Sequence, residues 1–210
     1  GCGSCVAFAT IGAFEALIQI AENNPDLEPD LSEQHLFSCG GGDCDTGWYV
    51  SEALNYLKQY GVPDEQCFPY QAADVPCSET CSDWQLRAFK IKDWKWLSSN
   101  RNVIKSYLLK APLVAVMAVY EDFFQYPGGV YEHQWGDLAG YHAIVIVGYN
   151  DVEGYWICKN SWGSSWGENG YFRIKYGECG IESEVAYMEY EPFYSFKVYN
   201  DGVGRLEVYD

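Results

Sequence analysis

Apolar residues are distributed along the chain in two regimes. From Cys5 to Ala21 they cover nearly the whole circumference of a helix, interspersed with small residues at Ala7, Ala9, Gly12 and Ala13. That pattern predicts a helix buried on all sides, because a surface helix keeps a polar face. Pro25 and Pro29 interrupt the chain, and LSEQHLF then offers Ser32 as the cap of a short second helix. GGGDCDTG reads as a glycine loop, and Ser51–Tyr60 has amphipathic helical spacing until Gly61-Val62-Pro63 ends it. From Cys67 to Trp84 the chain is a loop punctuated by cysteines and prolines, better held by crosslinks than by a core. Beyond Pro112 the pattern changes. LVAVMAV, HAIVIVGY, YWICK, YFRIKY and VAYMEY are short, β-branched or aromatic, and separated by Gly, Asn and Asp, which predicts strands. Helices first and strands later predict an α+β protein with two unlike halves and a cleft between them. The last twenty residues place FKVYN and RLEVYD around NDGVG, a hairpin pattern that either packs on the main domain or, the reading preferred, begins a further β-sandwich module.

Composition narrows the function. With 210 residues, 48% hydrophobic and 20% charged, the chain can bury the core of one bilobed domain. A net charge of −17 disfavours nucleic acid and anionic membrane as partners. No apolar stretch reaches the length of a membrane span. Nine cysteines at scattered spacings indicate a disulfide framework made in an oxidising compartment, with one thiol left over. The alternative is zinc, suggested by Cys2–Cys5, Cys39–Cys44 and Cys77–Cys81, but no histidine lies at finger spacing to complete a set. No metal and no cofactor are expected.

The chemistry converges on one of these thiols. Cys5 opens the buried helix, where unpaired N–H groups and the helix dipole favour a thiolate, and Gly3-Ser4 before it permit close approach. A nucleophilic thiol needs a base, and the chain holds three histidines. His35 lies in a polar helical stretch and is expected to face solvent. His133, in YEHQWGD, is expected in a surface loop. His142 starts the most apolar strand, where a polar ring requires a partner, and it is the candidate base. Asn160 follows in KNSWGSSWGENGYFRI.

Seven stretches now occur in a specific order: CGSCVAF, LSEQHLFSC, CDTGW, DFFQYPGGVY, YHAIVIVGYN, YWICKNSWGSSWGENGYFRI and YGECGI. Together they resemble the papain family of cysteine proteases across residues 1–190, and CGIESEV resembles cathepsin B within it. The resemblance implies a two-lobed papain-like fold, with a helical left lobe over about 1–110 and an antiparallel β-barrel-like right lobe over about 111–190. The active-site cleft would lie between the lobes, and 191–210 would form a C-terminal β extension. Cys5 would be the nucleophile, His142 its imidazolium partner and later general acid, and Asn160 the group orienting the imidazole. Trp162 would shield the His142–Asn160 pair, and the Gly47 backbone would pair with extended substrate. The pocket for the side chain two residues before the scissile bond would be walled by Trp48, Tyr49, Val116, Gly140 and Tyr141. Glu184 at its far end would add tolerance for arginine to a preference for bulky apolar groups. The resemblance also implies bridges Cys2–Cys44 and Cys39–Cys77. The cysteines that remain are then expected to pair as Cys67–Cys81 and Cys158–Cys179, although the family's usual partner for Cys179 lies before the histidine, where this chain has none, and Cys5 is left free.

Three departures from the family pattern stand out. Val6 replaces the tryptophan usual beside the nucleophile, and Thr46 replaces one glycine of the cleft loop. The oxyanion glutamine and the N-terminal strand would precede Gly1. No paired histidines or long insertion separate Cys44 from Trp84, so an open-cleft endopeptidase is expected. Its partners would be polypeptide substrates, an inhibitory propeptide outside this sequence and further domains of a longer chain. Its location would be secreted, at the cell surface or in another oxidising compartment. The competing reading is a binding or surface-adhesion module on a protease scaffold, and the intact Cys5, His142 and Asn160 favour the enzyme.

Overall fold

The helix read from the opening residues is α1 (Cys5–Ala21), in a computed structural model that describes residues 2–192. The hairpin expected from FKVYN and RLEVYD lies outside the described residues. Ala7, Ile11, Ala13 and Phe14 of α1 are fully buried, between α2 (Glu33–Gly40) and α3 (Val50–Gln59) on one side and the sheet on the other. Gly12 faces Val145 on that sheet, where a Cβ would stand in ordinary contact, 4.0 Å from a Val145 methyl. Ser32 caps α2 as expected. Its Oγ accepts from His35 N at 2.9 Å and donates to Phe68 O at 2.6 Å, while Gly41 ends the helix at φ +105°.

The loop from Cys67 to Trp84 has little core of its own beyond the buried Cys67 and Phe68. Bridges Cys39–Cys77 and Cys67–Cys81 hold it, with Cα–Cα separations of 4.8 and 5.1 Å. This loop lies against α2 and corrects one expectation. Gln34 accepts from Gln71 N and donates to Ala73 O, at 2.8 and 3.0 Å, so the polar side of α2 is covered. His35 is therefore not solvent-facing. It is 0% exposed, with its ring 4.6 Å from Trp84 and 5.9 Å from Tyr56.

Between residues 84 and 111 the chain forms α4 (Trp84–Arg87), β1 (Asp93–Trp96) and α5 (Arg101–Leu108). Hydrophobic pattern does not announce them, because α5 buries fully only Ile104 and β1 is mostly exposed. Asn100 starts α5 by accepting from Asn102 N and Val103 N.

The remaining strands are β2 (Leu113–Tyr120), β3 (Val130–Tyr131), β4 (Leu138–Asn150), β5 (Tyr155–Lys159), β6 (Tyr171–Lys175) and β7 (Glu184–Glu189). They form one sheet in the order β1-β7-β2-β4-β5-β6-β3, antiparallel except for the parallel pair β3–β6. Two cores use this sheet. Val114, Val145 and Ala186 join the helices in one, whereas Ile146, Trp156, Phe172 and Val185 build the other. Alternation along β2, β4 and β7 thus serves both cores, one on each face.

The structure leaves Cys158 and Cys179 unpaired, which corrects the fourth expected bridge. Cys158 is buried on β5 between Ile146 and Phe172 on the flanking strands. Cys179 sits at φ +53° in the 3₁₀ turn that leads into β7, and β4 and β2 lie between β5 and β7 in the sheet. Burial raises both thiols, Cys158 well above its ordinary value and Cys179 to about 12.

Candidate active site

Cys5 occupies the first position of α1, and Ser4 precedes it without a side-chain cap. The first turn of the helix carries no acidic residue, so nothing there neutralises the positive helix end around the thiol. Three restraints fix the turn before it. The Cys2–Cys44 bridge holds the two Cα atoms 4.2 Å apart, Gly3 N donates to Cys44 O at 2.9 Å, and Ser4 Oγ lies 2.6 Å from Tyr70 Oη. Gly3 is required by this close approach, since a Cβ would stand 3.0 Å from Gly47 Cα and 3.1 Å from Cys44 O.

His142 lies on β4 opposite Met117 of β2 and is 7% exposed. Its Nε2 is 2.7 Å from Asn160 Oδ1, an oxygen that also accepts from Ser161 N at 2.8 Å. Two donors on Oδ1 settle which way the amide points, and they assign the Nε2–H tautomer to the ring. Asn160 is 8% exposed and tied by its own N–H to Gly170 O at 2.9 Å. Burial pulls the His142 imidazole below its ordinary pKa, with the Asn160 hydrogen bond opposing that fall.

Trp162 covers this pair, with ring centroids of Trp162 and His142 4.9 Å apart. Phe124 stacks on the same indole at 5.3 Å and 14°, and Trp166 meets it edge-on at 5.0 Å. Sequestering a hydrogen bond beneath apolar rings strengthens it by lowering the local dielectric. Cys5 approaches from the other core. It packs with Val6 against the cluster that contains Ala143, the neighbour of His142, and α1 lies directly on β4.

The expected substrate residues fall into two groups. Val116 is in register with Ala143 on one side and Glu184 on the other, and Tyr141 and Gly140 continue β4 opposite Ala118 and Val119. Tyr49, Tyr141 and Glu184 are exposed. Trp48 instead turns inward, its indole lying where a Cβ on Gly40 would be, at 2.3 Å. Gly47 holds φ +77° and donates to Asp43 O. His133 stacks on Tyr120 at 3.9 Å and lies 3.2 Å from Asp122 Oδ1, which places it in a network apart from the thiol. Two functional candidates are not singled out by the sequence. Glu15 and Glu33 line a cavity with Asn160; Glu15 is the single charged residue in α1, and Glu33 lies within LSEQHLFSC. No group of three or more His, Cys, Asp or Glu able to hold a metal occurs among the described residues.

Comparison with known proteins agrees with this geometry. Residues 1–189 match the model of the papain family cysteine proteases. Cathepsin B-like CP3 of Giardia intestinalis is 36% identical over 202 residues, covering 88% of this chain and 66% of that protein. Cathepsin B-like cysteine proteinase 2 of Haemonchus contortus is 32% identical, covering 88% of this chain and 65% of its own length. The chain thus spans just under two thirds of the length of these relatives. Among solved structures, a Carica candamarcensis cysteine protease in complex with E-64 has a TM-score of 0.78 at 28% identity, covering 91% of each chain. A procathepsin B of Trypanosoma congolense has a TM-score of 0.79 at 29% identity, covering 90% of this chain and 68% of its own. The fold is the papain-like α+β fold, and the chain belongs to the papain family of cysteine proteases.

Proposed function

We propose that the chain is the peptidase domain of a cathepsin B-like cysteine endopeptidase. The observation that carries the reading is the buried His142–Asn160 hydrogen bond under Trp162, on a strand against which α1, with the Cys5 thiol at its uncapped start, packs. Asn160 holds Nε2, which leaves Nδ1 to share a proton with Cys5. The Cys5 sulfur attacks the peptide carbonyl carbon, and His142 passes its proton to the leaving amine as the C–N bond breaks. Water, deprotonated by His142, then cleaves the thioester and restores the thiol. The backbone N–H at the start of α1 would donate to the developing oxyanion.

The test is covalent labelling with E-64, which is bound in one of the related structures. Under mild reduction, one E-64 adds to the full-length protein at Cys5, and Cys5→Ala abolishes both label and peptide hydrolysis. A native protein that stays unlabelled at Cys5 while the folded state persists would overturn the enzyme.

Specificity follows from the strand register. Val116 and Glu184 are adjacent on β2 and β7, so an apolar wall with a carboxylate beside it suits a bulky apolar or an arginine side chain two residues before the scissile bond. Glu184→Ala should cost roughly two- to fivefold in kcat/KM for arginine there, the scale of one solvent-accessible ion pair, and spare phenylalanine. Equal losses on both substrates would remove Glu184 from the pocket. Three disulfides fit synthesis in an oxidising compartment and secretion or a cell-surface location. The proenzyme relative suggests an inhibitory propeptide as the partner of the cleft.

A further inference from the structure

Between the helices and the sheet lies a cavity of ≈ 90 Å³, whose lining includes Gly12 and Glu15 of α1, Glu33 beside Ser32, and Lys159 and Asn160 at the end of β5. None of the charged groups takes part in the steps above. Asn160 is 8% exposed, and its Oδ1 is already engaged twice, by His142 and Ser161. Its Nδ2 is buried without a protein partner. Such a donor is costly to leave alone, and Asn160 is among the residues that line this cavity. At roughly 30 Å³ per water the volume accommodates two or three. Glu15 Oε1 accepts from Leu31 N at 2.8 Å, which leaves its other oxygen for a water.

We propose that Glu15 and Glu33 are positioning residues, which through water in this cavity supply the acceptor for Asn160 Nδ2 and so hold the amide that holds His142. The proposal rests on the assignment of His142 and Asn160 to the catalytic machinery. The charged groups around the pair are Asp30 and Glu65, which oppose its ionisation, and Lys159, which favours that of Glu15. Burial first, then carboxylates, raise Glu15 and Glu33 to about 7: Asp30 and Glu65 act on Glu15, and Glu15 itself, ahead of Glu65 and Asp30, acts on Glu33. The pair is neutral in acid and acquires charge around neutrality. A charged acceptor polarises the Asn160 amide, makes Oδ1 the better acceptor, and strengthens the hold of His142 on its proton.

The experiment reads His142 directly. In Cys5→Ser protein labelled with ¹⁵N-histidine, only three imidazoles contribute, and the titration midpoint of His142 is followed with and without Glu15→Gln and Glu33→Gln. The double variant should lower the midpoint by about half a unit or more, roughly threefold in proton affinity. With Cys5 present, the loss in kcat/KM relative to the parent should grow about threefold from pH 5.5 to pH 8, without a matching change in KM. Glutamine imitates the protonated carboxyl that the parent already tolerates in acid, and Glu33→Gln alone serves if the double variant fails to fold. An unmoved His142 midpoint, with only the melting temperature changed, would reduce the pair to a structural role and overturn the proposal. A parent that never hydrolyses peptide while His142 still responds to Glu33→Gln would strike the proposed function and leave the positioning role standing.

Discussion

At the scale of single residues, the same side chain type takes different roles according to what folds over it. Cys5 and His142 were legible in the sequence, one as the start of an apolar helix and the other as the lone polar ring in an apolar strand. His35, Glu15 and Glu33 were not, since nothing in a polar residue states that a loop or a second lobe will bury it. Cys158 and Cys179 make the same point in reverse. Counting cysteines paired them, whereas Cys158 faces the core with Ile146 and Phe172 and the Cys179 thiol lies in the turn before β7 against Tyr131 and Glu178. The nine cysteines therefore divide into three bridges and three thiols at Cys5, Cys158 and Cys179. Thiol titration of the denatured, unreduced protein should count three. A count of one would restore the fourth bridge. In the native protein Cys158 should stay unreactive, being fully enclosed and held as a neutral thiol.

Elements were legible where their periodicity was strong. The all-round apolar run gave α1, and the β-branched runs after Pro112 gave β2 and β4 to β7, although β4 begins at Leu138, four residues before His142. β1 and α5 escaped because each draws its stability from neighbours: β1 from pairing with β7, α5 from the Asn100 cap and the single anchor Ile104. Ser32 is the cap that ties elements together. It satisfies the start of α2 and simultaneously donates to Phe68 O, the joint on which the crosslinked loop turns. Ser32→Ala should cost about 2 kcal/mol, because it removes a cap and strands a buried carbonyl. Denaturant unfolding followed by tryptophan fluorescence would measure it, and a loss under about 0.5 kcal/mol would show that Phe68 O finds another donor.

For the whole molecule, buried titrating groups oppose one another across the pH scale. Glu15 and Glu33 rise from 4.5 to about 7 on folding. The folded chain then binds more protons than the unfolded one between those values, so their contribution is complete below 4.5 and is lost as pH rises through 7. His35 falls from 6.5 to about 4 through burial, and His142 shifts in the same direction. The His35 contribution is complete above 6.5 and is lost as pH falls through about 4, and that of His142 has the same sign. Between 4.5 and 6.5 the two slopes offset, and outside that window one set acts alone. The melting temperature should therefore form a plateau in mild acid, with a fall on either side. Glu15→Gln with Glu33→Gln should flatten the neutral side, and His35→Leu the acid side. A melting temperature that climbs steadily to pH 8 would contradict the buried carboxyls.

The bridge at Cys2 has a practical consequence for handling the protein. It closes three residues from the thiol that must stay reduced, and it is what keeps Gly3 against Cys44 and Gly47. Any reductant strong enough to rescue an oxidised Cys5 is also a reagent for its neighbour, and thiol–disulfide exchange sets the two in competition. The dose-response to added thiol should rise, peak and decline, so the useful working range has an upper limit as well as a lower one.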